Sequence, residues 1–142
     1  MQEALGFQND DVVKAASGFG GGIGMMADTC GALVGSGLVL GLIHGRTRED
    51  ILYGEEEAQL ARLRGSITPV AELYRWFQAE YGSTTCKEIR TRFGNGVFYD
   101  FTDPEQKEMY DKLDILGKCS DMVGRAAAKV TEMLWDEVKG KQ

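Results

Sequence analysis

At 142 residues, 43% hydrophobic and 27% charged, the chain has the size and composition of one globular domain, long enough to bury a core without staples. A net charge of −6 and a pI of about 4.8 argue against nucleic acid as a partner, because phosphate binding needs clustered Lys and Arg, and here bases alternate with acids, as in the solvated-looking Lys87-Glu88-Ile89-Arg90. The most apolar run, Thr29 to Ile43, is interrupted by four glycines and too short to span a membrane, and Met1-Gln2-Glu3-Ala4 has no signal core, so a cytoplasmic protein without a membrane span is expected.

The first predicted helix is Asp10–Ser17. It runs into Gly18-Phe19-Gly20-Gly21-Gly22-Ile23-Gly24, five glycines in seven positions. The G-x-G-x-x-G spacing fails, since the sixth position from Gly18 is Ile23, and the preceding segment reads as helix rather than strand. What the glycines permit is left-handed backbone and close approach of another group, with a plain turn as the alternative. Met25-Met26 after them read as gap-filling residues.

The second helix, Thr29–Gly45, carries Gly31, Gly35, Gly37 and Gly41 inside an apolar pattern. Each costs about 0.8–1 kcal/mol relative to Ala, so about 3–4 kcal/mol must be recovered by close packing. A neighbouring helix of the same chain, a second copy or a bulky cofactor would each serve. The only histidine, His44, falls near the C-terminal end, where it favours the helix dipole and is not expected to be a ligand.

Further helices are predicted at Arg48–Arg64, Thr68–Tyr81, Cys86–Phe93, Asp103–Asp114 and Ser120–Lys139, the last two broken near Gly117. Ser66-Ile67-Thr68-Pro69 reads as a capped start with Pro69 in the first turn, and Asp103-Pro104-Glu105 reads the same way. Thr85 with Glu88 fits a capping box. Val70, Leu73, Phe77 and Tyr81 form one helical stripe with Trp76 alongside, and Val123, Ala126, Ala127, Val130, Met133, Leu134 and Val138 form another. No segment sustains strand alternation. The expected fold is all-α, a compact single-domain bundle of six or seven helices covering residues 1–142.

Cys30, Cys86 and Cys119 are the only cysteines, and each falls at a predicted helix start, where the dipole favours thiolate. An odd number without paired spacing points to metal ligation, redox chemistry or plain burial rather than a disulfide framework. C-x-x-C-H is absent, which excludes covalent haem attachment, and no catalytic residue is identified.

The glycine loop Ser17–Gly24 followed by Cys30-Gly31-Ala32-Leu33-Val34-Gly35 resembles the C_GCAxxG_C_C family, a small group named for its cysteine pattern and expected to be redox-active. The stretch matches that family's C-G-A-x-x-G core, Cys86 looks like the next family cysteine and Cys119 the last, so the resemblance covers nearly the whole chain. The family is also similar to part of the split-Soret cytochrome c, a dimeric protein carrying haem and an iron–sulfur cluster. Family members usually carry a fourth cysteine before the glycine loop, and this chain has none there. The resemblance therefore implies an open cluster, one completed by a non-cysteine ligand, or one shared between subunits.

The expected function is a redox or electron-transfer protein, with Cys30, Cys86 and Cys119 as ligands of an iron–sulfur cluster of unassigned type. Gly20, Gly21, Gly22, Gly24 and Gly31 would supply backbone N–H groups near that anionic group. A homodimer and a redox partner protein are the expected partners. The alternatives are a metal-free thiol–disulfide protein, a helical dimerisation module indifferent to its cysteines, and a structural zinc site.

Overall fold

The computed structural model describes residues 5, 6 and 8–139, and among them every regular element is helical. Seven α-helices follow one another: α1 (Asp10–Ala16), α2 (Gly31–His44), α3 (Arg48–Leu52), α4 (Glu56–Tyr81), α5 (Cys86–Phe93), α6 (Pro104–Lys112) and α7 (Ile115–Lys139), with a 3-10 turn at Ser17–Phe19. The all-α expectation holds. α2 is the central element, packed on α4 along one side and α7 along the other, while α5 and α6 close one end against α7. Its Leu33, Val39 and Leu40 meet Leu73 and Phe77 of α4 and Met122, Ala126, Val130 and Leu134 of α7 in one core. Leu40, Leu73 and Phe77 are fully buried, and each such side chain stabilises the fold by about 1.5–3 kcal/mol.

Three boundaries and one buried position differ from expectation. The predicted Arg48–Arg64 helix is interrupted after Leu52, because Gly54 adopts φ 105, outside any helix. From Glu56 a 26-residue helix then runs straight through the expected start at Thr68, with Pro69 in its interior. Pro69 cannot donate to the carbonyl of Gly65, yet the residues beyond it bury Leu73 and Phe77 against α2, and that packing outweighs one lost bond. The break between the last helices lies at Asp114 (φ 49), not Gly117. The Gly117 N–H donates to Asp114 Oδ1 at 3.2 Å, and a Cβ at Gly117 would collide with that carboxylate, so the glycine read as a breaker makes room for a cap. Finally, Met122 replaces Val123 on the buried face of α7, and Val123 is exposed.

Asp103 caps α6 with Pro104 in its first position, as expected. The capping box at Thr85 forms only by half: Thr85 Oγ1 accepts from the Glu88 N–H at 3.3 Å, but the Glu88 carboxylate accepts from the Ser83 hydroxyl instead. A full box occurs at Thr47 and Asp50. The glycines of α2 divide. A Cβ at Gly31 would stand 2.5 Å from the Phe19 carbonyl oxygen and one at Gly37 would touch Val70, whereas Gly35 and Gly41 face open space. Packing within the chain accounts for the first pair only.

Candidate functional site

Two short extended segments bring the cysteines of α2 and α5 together. Thr29 and Thr85 form an isolated antiparallel bridge. The Cys30 N–H donates to the Thr84 carbonyl at 2.8 Å, the Cys86 N–H to the Asp28 carbonyl at 2.6 Å, and the Lys87 N–H to the Ala27 carbonyl at 2.8 Å. Both helices therefore start side by side, with Cys30 as the N-cap of α2 and Cys86 the first residue of α5.

The glycine loop lies across this junction. Gly21, Gly22, Ile23, Gly24, Met25 and Ala27 all have positive φ; for the three non-glycine residues this costs about 1–2 kcal/mol each. The loop is held by bonds from the Gly24 N–H to the Gly18 carbonyl (2.8 Å) and from Met25 to Gly20 (3.0 Å). A Cβ at Gly22 would stand 2.7 Å from Cys86 Cβ and from the Asp28 backbone, so the close approach read from the sequence is an approach to the cysteine junction itself.

All three cysteines line one cavity of about 490 Å³, a volume usual for small-molecule and cofactor sites. Cys119 reaches it from the second turn of α7, so the helix-start reading of this residue does not hold. Gly20, Gly21, Gly22 and Gly31 line the same cavity and Gly24 does not. Met25, Phe101, Leu116, Met122 and Val123 make the walls largely apolar, and the ion-paired Lys107 and Asp111 stand at its exposed rim. His44 is excluded from the site. It stands at the far end of α2, about 20 Å from Cys30 at 1.5 Å per residue, with Nε2 3.6 Å from Glu137 Oε1.

Desolvation reverses the expected electrostatics. Burial raises the Cys30 pKa, although the Ala32 and Leu33 N–H groups favour its thiolate without making a cap hydrogen bond. The Cys119 thiol is pushed up to about 11, first by burial and then by Cys86 and Cys30, with Arg90 opposing. Tyr110 is raised as well, by burial and then by Cys119. In this pocket the loss of water outweighs the helix dipole, so Cys30 and Cys119 carry protons at neutral pH.

Arg90 is the residue that sequence reading missed. Placed on a solvated face by the alternating charges around it, it is 4% exposed and lines the cavity. Its Nη2 donates to the Tyr99 carbonyl at 2.5 Å, and its guanidinium lies 4.6, 5.0 and 5.1 Å from the ring centres of Phe98, Phe101 and Tyr110. Among the described residues its buried Nε has no hydrogen-bond partner. The aromatic run Phe98-Tyr99-Asp100-Phe101, eight residues on, was the available signal. Among the described residues, no three His, Cys, Asp or Glu side chains are grouped so as to hold a metal ion.

A family model described as "Putative redox-active protein (C_GCAxxG_C_C)" matches residues 1–133. The chain belongs to this family. No curated protein and no solved structure matches it. The family name spells four cysteines, the second within Gly-Cys-Ala-x-x-Gly; this member has three, and its glycine-rich core reads Cys30-Gly31-Ala32-Leu33-Val34-Gly35, with the first two residues in reversed order. Cys30 at the start of α2, Cys86 of α5 and Cys119 of α7 are thus brought to one cavity. Among the described residues no helix is long and apolar enough to cross a membrane.

Proposed function

We propose that this redox-family chain carries electrons through an iron–sulfur cluster held by Cys30, Cys86 and Cys119. The observation that carries the reading is the single apolar cavity onto which all three thiols open beside a buried guanidinium. Three thiols and no histidine line the cavity, a donor set of the kind that holds iron–sulfur clusters through cysteine thiolates. When bound, such a cluster supplies a one-electron carrier. The buried Met122 and half-buried Phe101 give the cavity apolar walls, and Ala32 and Leu33 direct N–H groups at the Cys30 sulfur. Cys30 and Cys119 release their protons on ligation. The fourth position has no cysteine, so a non-protein ligand or a second subunit completes it, and a homodimer and a redox partner protein remain part of the reading.

Anaerobic reconstitution followed by an optical spectrum and iron and sulfide analysis tests it. Brown protein with iron and sulfide in stoichiometric amounts is the expected result, and a colourless, iron-free product after reconstitution overturns it. The adjacent placement of Cys30 and Cys86 favours one second reading, a reversible disulfide between them without metal. The raised Cys30 pKa makes that thiol a weak nucleophile and counts against it. Mass spectrometry showing three free thiols after oxidation would remove this reading.

A further inference from the structure

Among the described residues, no anion is paired with the buried positive charge of Arg90. Its partners are neutral: one carbonyl oxygen and the faces of three rings. Asp100 is near enough to feel it, yet the Asp100 carboxylate accepts from the N–H and the hydroxyl of Thr102 and forms no ion pair with the guanidinium. Lys107 at the rim is paired with Asp111, so no spare carboxylate turns inward from there. A charge taken from water into apolar surroundings is retained when a counter-charge meets it. Arg90 lines the cavity, and the first turn of α2, whose Ala32 and Leu33 N–H groups are turned to the Cys30 sulfur and favour negative charge, opens onto the same space through Gly31 and Ala32.

We infer that the cavity is an anion site in which Arg90 is the counter-charge of the occupant. The shared chemistry is a compact group with net negative charge. It can come from two sources: a thiolate-ligated cluster, which rests on the function proposed above, or a free inorganic oxyanion, which does not. Arg90 then acts as a positioning residue that holds the occupant by charge. It favours the more reduced, more negative state of a redox-active one, because a nearby cation stabilises added negative charge.

The wild type is compared with Arg90→Lys, which keeps the charge, and Arg90→Met, which removes it at similar volume; Arg90→Gln replaces the latter should it not fold. In one arm, metal-free protein is titrated with inorganic phosphate against sodium chloride at equal ionic strength, with binding read by calorimetry and melting temperature. In the other, the midpoint potential of reconstituted protein is measured. The inference expects at least one of two outcomes: saturable phosphate binding weakened tenfold or more by Arg90→Met and largely kept by Arg90→Lys, or a midpoint potential lowered by Arg90→Met and kept by Arg90→Lys. It is overturned when wild-type protein binds no phosphate and Arg90→Met leaves the potential unchanged, or when the metal-free protein binds no phosphate and no cluster forms. Failure of reconstitution with phosphate binding intact removes the cluster and leaves the anion site standing.

Discussion

The two ends of this molecule are built by different means. At the cysteine end, a loop of left-handed residues, two paired extended segments and four helices line one cavity, and a single methyl group at Gly22 would strike both a cysteine side chain and the Asp28 backbone. Residues 48–67 contribute nothing to the core: α3 has no buried residue, and the first buried side chain of α4 is Leu73. Ile51, Leu52, Tyr53, Leu60 and Ile67 are all exposed there, and the segment is held locally, by the Thr47–Asp50 box and an Arg62–Asp50 bridge of 2.9 Å. Tertiary packing dictates residue identity at the first end; helix propensity dictates it at the second. An exposed ion pair contributes at most about 1 kcal/mol, which is the scale on which the second region is organised.

Substitutions separate the two regimes. The largest effect is expected at Gly22→Ala, where positive φ and the collision with Cys86 add to a loss of about 3–5 kcal/mol or failure to fold; a urea midpoint within error of wild type would refute the close-packed junction. Phe77→Ala in the shared core is expected to cost about 3–5 kcal/mol, against less than about 0.5 kcal/mol for the exposed Ile67→Ala. Equal losses at the two positions would show that residues 48–67 bury a face against a partner in solution.

A smaller effect is expected with pH. The Cys119 thiol holds its proton up to about 11 when folded, against an ordinary 9.0, so the folded state has its full advantage below pH 9 and loses it as pH rises from 9 through 11. Metal-free wild type should lose melting temperature across that window faster than Cys119→Ala. Parallel curves would mean the thiol is not desolvated. The smallest effect, and one of opposite sign, is expected at Gly65→Ala. This position lies inside α4 with open space at its Cβ, and the change should stabilise by about 0.5–1 kcal/mol in urea unfolding.

Legibility in the sequence follows the same division. Caps and periodicity are local, so Thr85, Asp103 with Pro104, and the Leu73–Phe77 stripe could be read directly. Helix α4 was misread at Pro69 because the signal for a helix start is local, while the packing that carries the helix through it is not. The cysteines are visible in the sequence as residues, but the protonation of Cys30 and Cys119 is not, since burial in the cavity opposes the dipole argument that the sequence supports. Arg90 was hidden for the same reason: its neighbours Lys87, Glu88 and Arg92 describe an exposed face, and only the later return of Phe98 and Phe101 covers it. At Gly35 and Gly41 no packing among the described residues offsets the helix cost that the sequence shows.

If Cys30, Cys86 and Cys119 act together on one occupant, removing any one of them should empty the cavity. Iron and sulfide content of anaerobically reconstituted wild type, of the single variants Cys30→Ser, Cys86→Ser and Cys119→Ser, and of His44→Ala decides this. Stoichiometric iron is expected in the wild type and in His44→Ala, with loss in each cysteine variant. Iron-free wild type, or cysteine variants that keep their iron, would show that the three thiols do not share an iron-containing occupant.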